Sequence, residues 1–271
     1  MLGQLDVFIT MNWRLITYGE FEPAFNMAAD EAILEAHLAG EVPPTLRLYG
    51  WKPAAISIGY SQKISEAEVF SITSHGLDVV RRTTGGRAVL HFGDLTYSFV
   101  GSSVGDDLKP HDQHFLSTSV AAAYKEICQG LILAFEQFGF TLELGSSKSD
   151  YRANYDCFRA TTNADLQYAG KKMIGSAQLR RKNAVLQHGS ILLNQDQKKM
   201  SEVYSGTSEG TADRHANLFE VLNKVVSMKE LESAMKTGFS KAFTTAFEQL
   251  PLTPSEQNRI EILIPKYKLH T

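Results

Sequence analysis

Cys157 sits in a polar stretch, YDCFRATTN, with Arg152, Arg159, Lys171 and Lys172 nearby in the sequence. The thiolate is the attacking form of cysteine, and neighbouring cations lower a cysteine's pKa, so this residue has the surroundings of a nucleophile toward carbonyl carbon. The competing reading is a free cysteine that only packs. That reading suits Cys128, which falls on the apolar side of a predicted helix.

A second segment, residues 81–98, reads RRTTGGRAVLHFGDLTYS. Gly85 and Gly86 lack β-carbons, so their backbone N–H groups can approach a carbonyl, carboxylate or phosphate, with Arg87 adding charge. A hairpin turn that uses the glycines for positive φ explains them equally well. Neither GxxxxGK[ST] nor GxGxxG occurs, so no nucleotide loop is read here. His91 and His188 flank these segments without an HExxH or CxxC partner motif, which argues against a metal site. His188 fits a satisfied strand-end histidine or a group that orients an acyl chain. His111 and His114, in KPHDQH, have loop spacing and read as a solvated turn, with a bound ion as the alternative.

Helix-like and strand-like periodicities alternate along the chain and predict a mixed α and β fold. Residues 23–39 predict a helix stopped by Gly40, Pro43 and Pro44. Segments 46–51 and 54–60 predict strands paired across a Lys52-Pro53 turn, and Ser65 is placed to cap a short helix. Strands are expected at 77–82, 95–100, 141–145, 165–170 and 184–193, so the core sheet spans 46–193. Between 116 and 138, Val120, Tyr124, Ile127, Leu131, Ala134 and Phe138 recur at three and four, one face of a long helix. Helices are expected again near 198–204 and 228–248, and Pro251 and Pro254 precede a last one.

The 271 residues are 43% apolar and 21% charged, which excludes whole-chain disorder, collagen and coiled coil. A net charge of -3 makes whole-molecule attraction to nucleic acid or to a membrane surface an unsuitable reading. The charge is uneven, however. Residues 148–182 hold eight Lys or Arg against three Asp, hence +5, which leaves -8 for the remainder. Such a face would steer an acidic macromolecule, unless it is only a solvated surface. With two cysteines, no signal-peptide pattern in MLGQLDVFITMNWRLITYG and apolar runs far below the roughly 20 residues of a membrane span, a reducing cytoplasm is the expected compartment.

Taken together, RRTTGGRAVLH, GKKMIGSAQ and LQHGSILL resemble the lipoate and biotin protein ligase superfamily, over roughly residues 13–248. Within it the chain is similar to octanoyltransferases of the LipM type. They share TGGR, here Thr84 to Arg87, and a cysteine before the GxKxxGSAQ segment, here Cys157 with Lys172 fifteen residues on. No accessory domain is evident after the core. The resemblance implies a mixed, largely antiparallel central sheet flanked by helices, of the α+β kind found in class II aminoacyl-tRNA synthetases and biotin protein ligases. It also implies a main catalytic domain over 1–195 and a helical C-terminal extension over 196–271 packing on it.

The implied activity moves an octanoyl group from acyl carrier protein, through a cysteine thioester, to a lysine of a lipoyl-accepting protein such as the glycine cleavage H protein or an E2 subunit. Cys157 and Lys172 are the implied catalytic pair. Arg82, Gly85, Gly86, Arg87, His91, Gly175, Ser176, Ala177 and His188 are the implied substrate-binding residues. Exchange of one thioester for another is nearly balanced and needs no cofactor. ATP and Mg enter only under the rival reading, a lipoate-protein ligase that works through a lipoyl adenylate. A third reading is an acyl-binding protein that performs no transfer. The acyl slot is expected between the 54–60 strand, Val89, Leu90 and Ala177. The acceptor lysine must shed a proton to Lys172, to His91 or to the leaving thiolate. Two positions depart from the family pattern: Phe92 follows His91, with the acid only at Asp94, and Asn194 follows the QHGSILL strand.

Overall fold

The computed structural model describes residues 12–103, 116–145, 165–194, 200, 203 and 215–269. Cys157, Arg152, Arg159, His111 and His114 lie outside these residues, as does most of the helix expected near 198–204. In chain order the elements are β1 (Trp13–Phe21), α1 (Pro23–Leu38), β2 (Thr45–Trp51), β3 (Ala55–Ile58), α2 (Glu66–Ser74), β4 (Asp78–Arg81), β5 (Val89–His91) and β6 (Leu95–Ser102). There follow α3 (Val120–Phe135), β7 (Glu143–Leu144), β8 (Leu166–Tyr168), β9 (Lys171–Arg181), β10 (Ala184–Ile191), α4 (Leu218–Leu222), α5 (Met228–Phe243), β11 (Phe247–Gln249) and α6 (Pro254–Tyr267).

Eight strands form one sheet in the order β11-β1-β2-β6-β10-β9-β8-β7, and three form a second in the order β4-β3-β5. In the large sheet β1 runs parallel to β2 and β11, and every other pairing is antiparallel. This is the mixed, largely antiparallel sheet flanked by helices that was expected. Among the described residues, no helix is long and apolar enough to cross a membrane.

The period of two along a strand divides the large sheet into a structural and a chemical face. Leu46, Leu48, Leu95, Phe99, Val185 and Ile191 point into the main core with Ile127 and Leu131 of α3 and Leu231 and Phe239 of α5. Each such buried side chain contributes about 1.5–3 kcal/mol, and this face holds the layers together. The alternate residues, Arg47, Tyr49, Thr96, His188 and Ser190, are polar and buried on the opposite face. There α1 covers them. Alanines at 24, 28, 29, 32 and 36 let α1 pack between the sheet and α6. Thr253 caps α6, and the capping-box residue Glu256 also receives both terminal nitrogens of the buried Arg14, at 2.8 and 2.5 Å.

Several expectations are corrected. β2 and β3 do not pair. Both edges of β2 are taken by β1 and β6, so the chain crosses at Lys52-Pro53 into the small sheet. Nor do Gly85 and Gly86 close a hairpin, because β4 and β5 lie on opposite sides of β3 and the loop passes over its end. The core sheet extends beyond 46–193, since β1 and β11 add parallel strands from either end of the chain. The C-terminal segment therefore contributes an edge strand as well as helices. Val120 begins α3 but is exposed at 58%, whereas Tyr124, Ile127, Leu131 and Ala134 are buried as their spacing requires. Ser65 does cap α2, in a reciprocal capping box with Glu68.

Candidate active site

A cleft of about 370 Å³, its open mouth included, lies on the polar face where the two sheets meet α1. Of the residues implicated by sequence, Arg82, His91, Gly175, Ser176, Ala177 and His188 line it. Met27, Tyr49, Trp51 and Val89 supply much of its apolar wall. Ile56, Ile58 and Leu90 do not contribute to that wall. They point into the core beneath the small sheet with Val69 and Ile72, so from the 54–60 strand only Ser57 faces the cleft.

The glycine loop is held by Arg82. Its guanidinium donates to the carbonyl oxygens of Ser57 (2.8 Å), Gly85 (3.0 Å) and Arg87 (2.6 Å), while the Tyr60 N–H donates to the Thr84 carbonyl at 2.9 Å. Arg82 thus acts on the loop through its backbone, and Arg87 is itself buried. Gly59 is glycine because the loop touches it: a β-carbon there would overlap the carbonyl of Gly86. Gly59→Ala is expected to displace the loop. We expect a loss of roughly 1–3 kcal/mol of stability, seen as a lower urea midpoint, and a fall in transfer rate. A variant with wild-type stability and rate would show that the loop position is immaterial. At the floor of the cleft, a β-carbon on Gly189 would meet Ser176 Oγ at 2.5 Å and Gly175 O at 2.6 Å, so β9 and β10 can approach only with glycine here.

Two histidines stand in the cleft with matching surroundings. His188 Nδ1 donates to Asp30 Oδ2 at 2.9 Å, and its Nε2 lies 2.7 Å from the Thr84 hydroxyl. A buried network extends from Asp30. Arg47 donates to Asp30 Oδ1 at 2.8 Å and to Asn26 Oδ1 at 2.6 Å, and the Tyr49 hydroxyl donates to Asp30 Oδ2 at 2.9 Å. Burial alone would push the Asp30 carboxyl up, but the His188 hydrogen bond and the Arg47 charge outweigh it and leave it below its usual range. Burial and the Asp30 charge hold the Tyr49 phenol well above its ordinary value. The network therefore runs from α1 through the sheet to the glycine loop, fixing Thr84 against the scaffold.

His91 Nδ1 donates to Asp94 Oδ2 at 2.8 Å, and its Nε2 lies 2.8 Å from Ser57 Oγ. The departure noted in the sequence is bridged by the fold: the acid three residues on reaches the imidazole. Ser190 (2.6 Å) and Thr96 (3.2 Å) also donate to Asp94 Oδ2, and the Trp51 ring stacks on His91 at 3.9 Å between centroids.

Lys172 emerges from β9 fully buried, its ammonium 2.8 Å from Asp165 Oδ1 in an equally buried ion pair. It does not line the cleft. Cys128 is the inert core thiol expected. Burial pushes it up to about 12, against a partial lowering by the hydrogen bond from Gln187.

Sequence reasoning missed Asp30, Asn26, Arg47, Ser57 and Asp165. One signal was available: Asn26 and Asp30, four apart, are polar positions on one face of an alanine-rich helix.

This layout belongs to a known class of catalytic domain. The fold matches a crystal structure of lipoate-protein ligase A bound with ATP, with a TM-score of 0.78 and 26% identity, over 94% of this chain and 95% of that one. The family model of the lipoyl protein ligase A/B catalytic domain matches residues 22–240, and the chain belongs to that family. It is 36% identical to an octanoyltransferase LipM of Halalkalibacterium halodurans over 92% of this chain and 93% of that protein. It is 37% identical to an octanoyltransferase LipM of Kyrpidia tusciae, over 94% and 96% respectively.

Proposed function

We propose that this enzyme is an octanoyltransferase: it takes an octanoyl group from acyl carrier protein and delivers it to a lysine of a lipoyl-accepting protein. The observation that carries this reading is its end-to-end similarity to octanoyltransferases, at an identity well above that shared with the ligase whose fold it matches. The cleft suits the chemistry. Its lining is largely apolar, as an alkyl chain requires, at about 0.8 kcal/mol per buried methylene, and Ser57, Arg82 and His91 line it with polar groups.

In this reading Cys157 attacks the incoming thioester carbonyl, the carrier's thiol leaves, and an octanoyl-enzyme thioester forms. The amine of the acceptor lysine then attacks that carbonyl and Cys157 departs. Backbone N–H groups share the oxyanion, while Lys172, held by Asp165 and off the cleft lining, adds positive charge from behind it. The excess positive charge of residues 148–182 offers a docking field for two acidic partners, the acyl carrier protein and the lipoyl-accepting domain. No nucleotide is consumed.

Incubating the protein with octanoyl-acyl carrier protein and a lipoyl-accepting domain, with ATP omitted, tests this directly. Intact mass spectrometry should detect an octanoyl adduct on the enzyme, mapped to Cys157, and then octanoylated acceptor. A strict ATP requirement would instead establish the adenylate-forming reading.

A further inference from the structure

The acceptor lysine must arrive as a neutral amine, yet its free pKa is near 10.4, so the cleft needs a group that accepts its proton. We propose that Ser57, His91 and Asp94 form that proton relay, an inference that rests on the acyl-transfer reading above. Ser57 and His91 both line the cleft, and the three side chains are joined by two hydrogen bonds of 2.8 Å.

The surroundings determine which way the protons point. Arg82 Nη1 donates to Ser57 Oγ at 3.1 Å, so the serine's own hydrogen is directed to His91 Nε2. Nε2 is then the unprotonated nitrogen, and Nδ1 carries the hydrogen given to Asp94. Asp94 is itself oriented by Ser190 and Thr96, while its other oxygen, Oδ1, is buried with no hydrogen-bond partner. That arrangement leaves carboxylate charge available to an imidazolium. Trp51 fixes the ring plane by stacking on it, and its indole N–H donates to Thr96 at 2.8 Å.

The lysine ammonium gives one proton to Ser57 Oγ as the serine hydrogen passes to His91 Nε2, producing a neutral amine and an imidazolium paired with Asp94. The amine nitrogen forms the C–N bond at the acyl carbonyl, and collapse of the tetrahedral intermediate breaks the C–S bond with sulfur leaving as thiolate. The second amine proton goes to that sulfur. His91 returns its proton to solvent. Ser57 is unchanged at the end.

General-base assistance of this kind is worth about 10²–10⁴-fold. Asp94→Asn and Ser57→Ala are each expected to lower kcat for octanoylation of the acceptor domain by at least about 10²-fold, with KM for the acceptor nearly unchanged. The decisive comparison uses low concentrations of hydroxylamine as acceptor, because it is already neutral near pH 7 and needs no base. With it, both variants should transfer octanoate within a few-fold of wild type. A loss that persists with hydroxylamine, a change confined to KM, or an octanoyl ester on Ser57 would overturn the relay. Wild-type rates for both variants with the acceptor domain would overturn it as well. Absence of lysine octanoylation by the wild-type protein would instead reject the underlying transferase reading, and the relay with it.

Discussion

Cys157→Ser is expected to abolish the octanoyl-enzyme and to lower acceptor octanoylation by about 10⁴-fold or more, the scale seen when an enzyme loses its nucleophile. A serine hydroxyl is a far weaker nucleophile than a thiolate, and it lacks the low leaving-group basicity that makes a thioester reactive toward amines. Cys128 provides the contrast. Its thiol is buried and pushed up to about 12, so it is not a thiolate at neutral pH, and Cys128→Ala should leave transfer near wild type while costing some core packing. Intact mass after exposure to octanoyl-acyl carrier protein distinguishes the two variants in one measurement. If Cys157→Ser keeps full turnover, the enzyme uses no cysteine relay, and the adenylate-forming route becomes the one to test.

Asp30→Ala is expected to produce the largest loss of stability. It would leave the Arg47 guanidinium buried without its carboxylate, and breaking a buried ion pair from one side costs about 3–5 kcal/mol. At 2–4 °C per kcal/mol, Tm should fall by roughly 10 °C. The same change releases His188 and with it the Thr84 end of the glycine loop, so activity should fall further than the loss of folded protein explains. Acid provides a second reading of the same group. The folded-state carboxyl titrates below its ordinary value of 3.8, so its stabilisation is complete above that value and is lost as pH falls through the lower, folded-state range. Urea midpoints measured down through this window should drop more steeply for wild type than for Asp30→Asn. Parallel pH dependences would show that Asp30 is not held ionised by Arg47 and His188.

Much of the fold was readable because its signals are local. Helix α1 follows from a run rich in Ala, Glu and Leu stopped by Gly40, Pro43 and Pro44, α3 from apolar spacing at three and four, and β2, β6 and β10 from alternation or continuous apolar runs. β9 escaped detection because, as KKMIGSAQLRR, it carries few apolar residues and its outer half is only partly buried. β11 escaped for a different reason: this three-residue strand exists by pairing with β1, across more than 200 positions of chain, while β1 itself pairs with β2 as well. The apolar walls were partly misassigned, since AAISIGY shows that a strand is buried but not which alternate residue meets the cleft.

The amino-acid sequence by itself determined the fold class, the family, the glycine loop, the histidines and the residue proposed as nucleophile, because these are matters of composition, short-range spacing and motif. Only the tertiary structure decided that Asp30 reaches His188, that Asp94 and Ser57 bracket His91, and that Lys172 is paired with Asp165. Those partners come from different strands and from α1, and their meeting depends on sheet order and register, which no local pattern encodes. Hydrogen bonding is directional and acts over about 3 Å, so an arrangement of proton donors and acceptors exists only once the layers have packed.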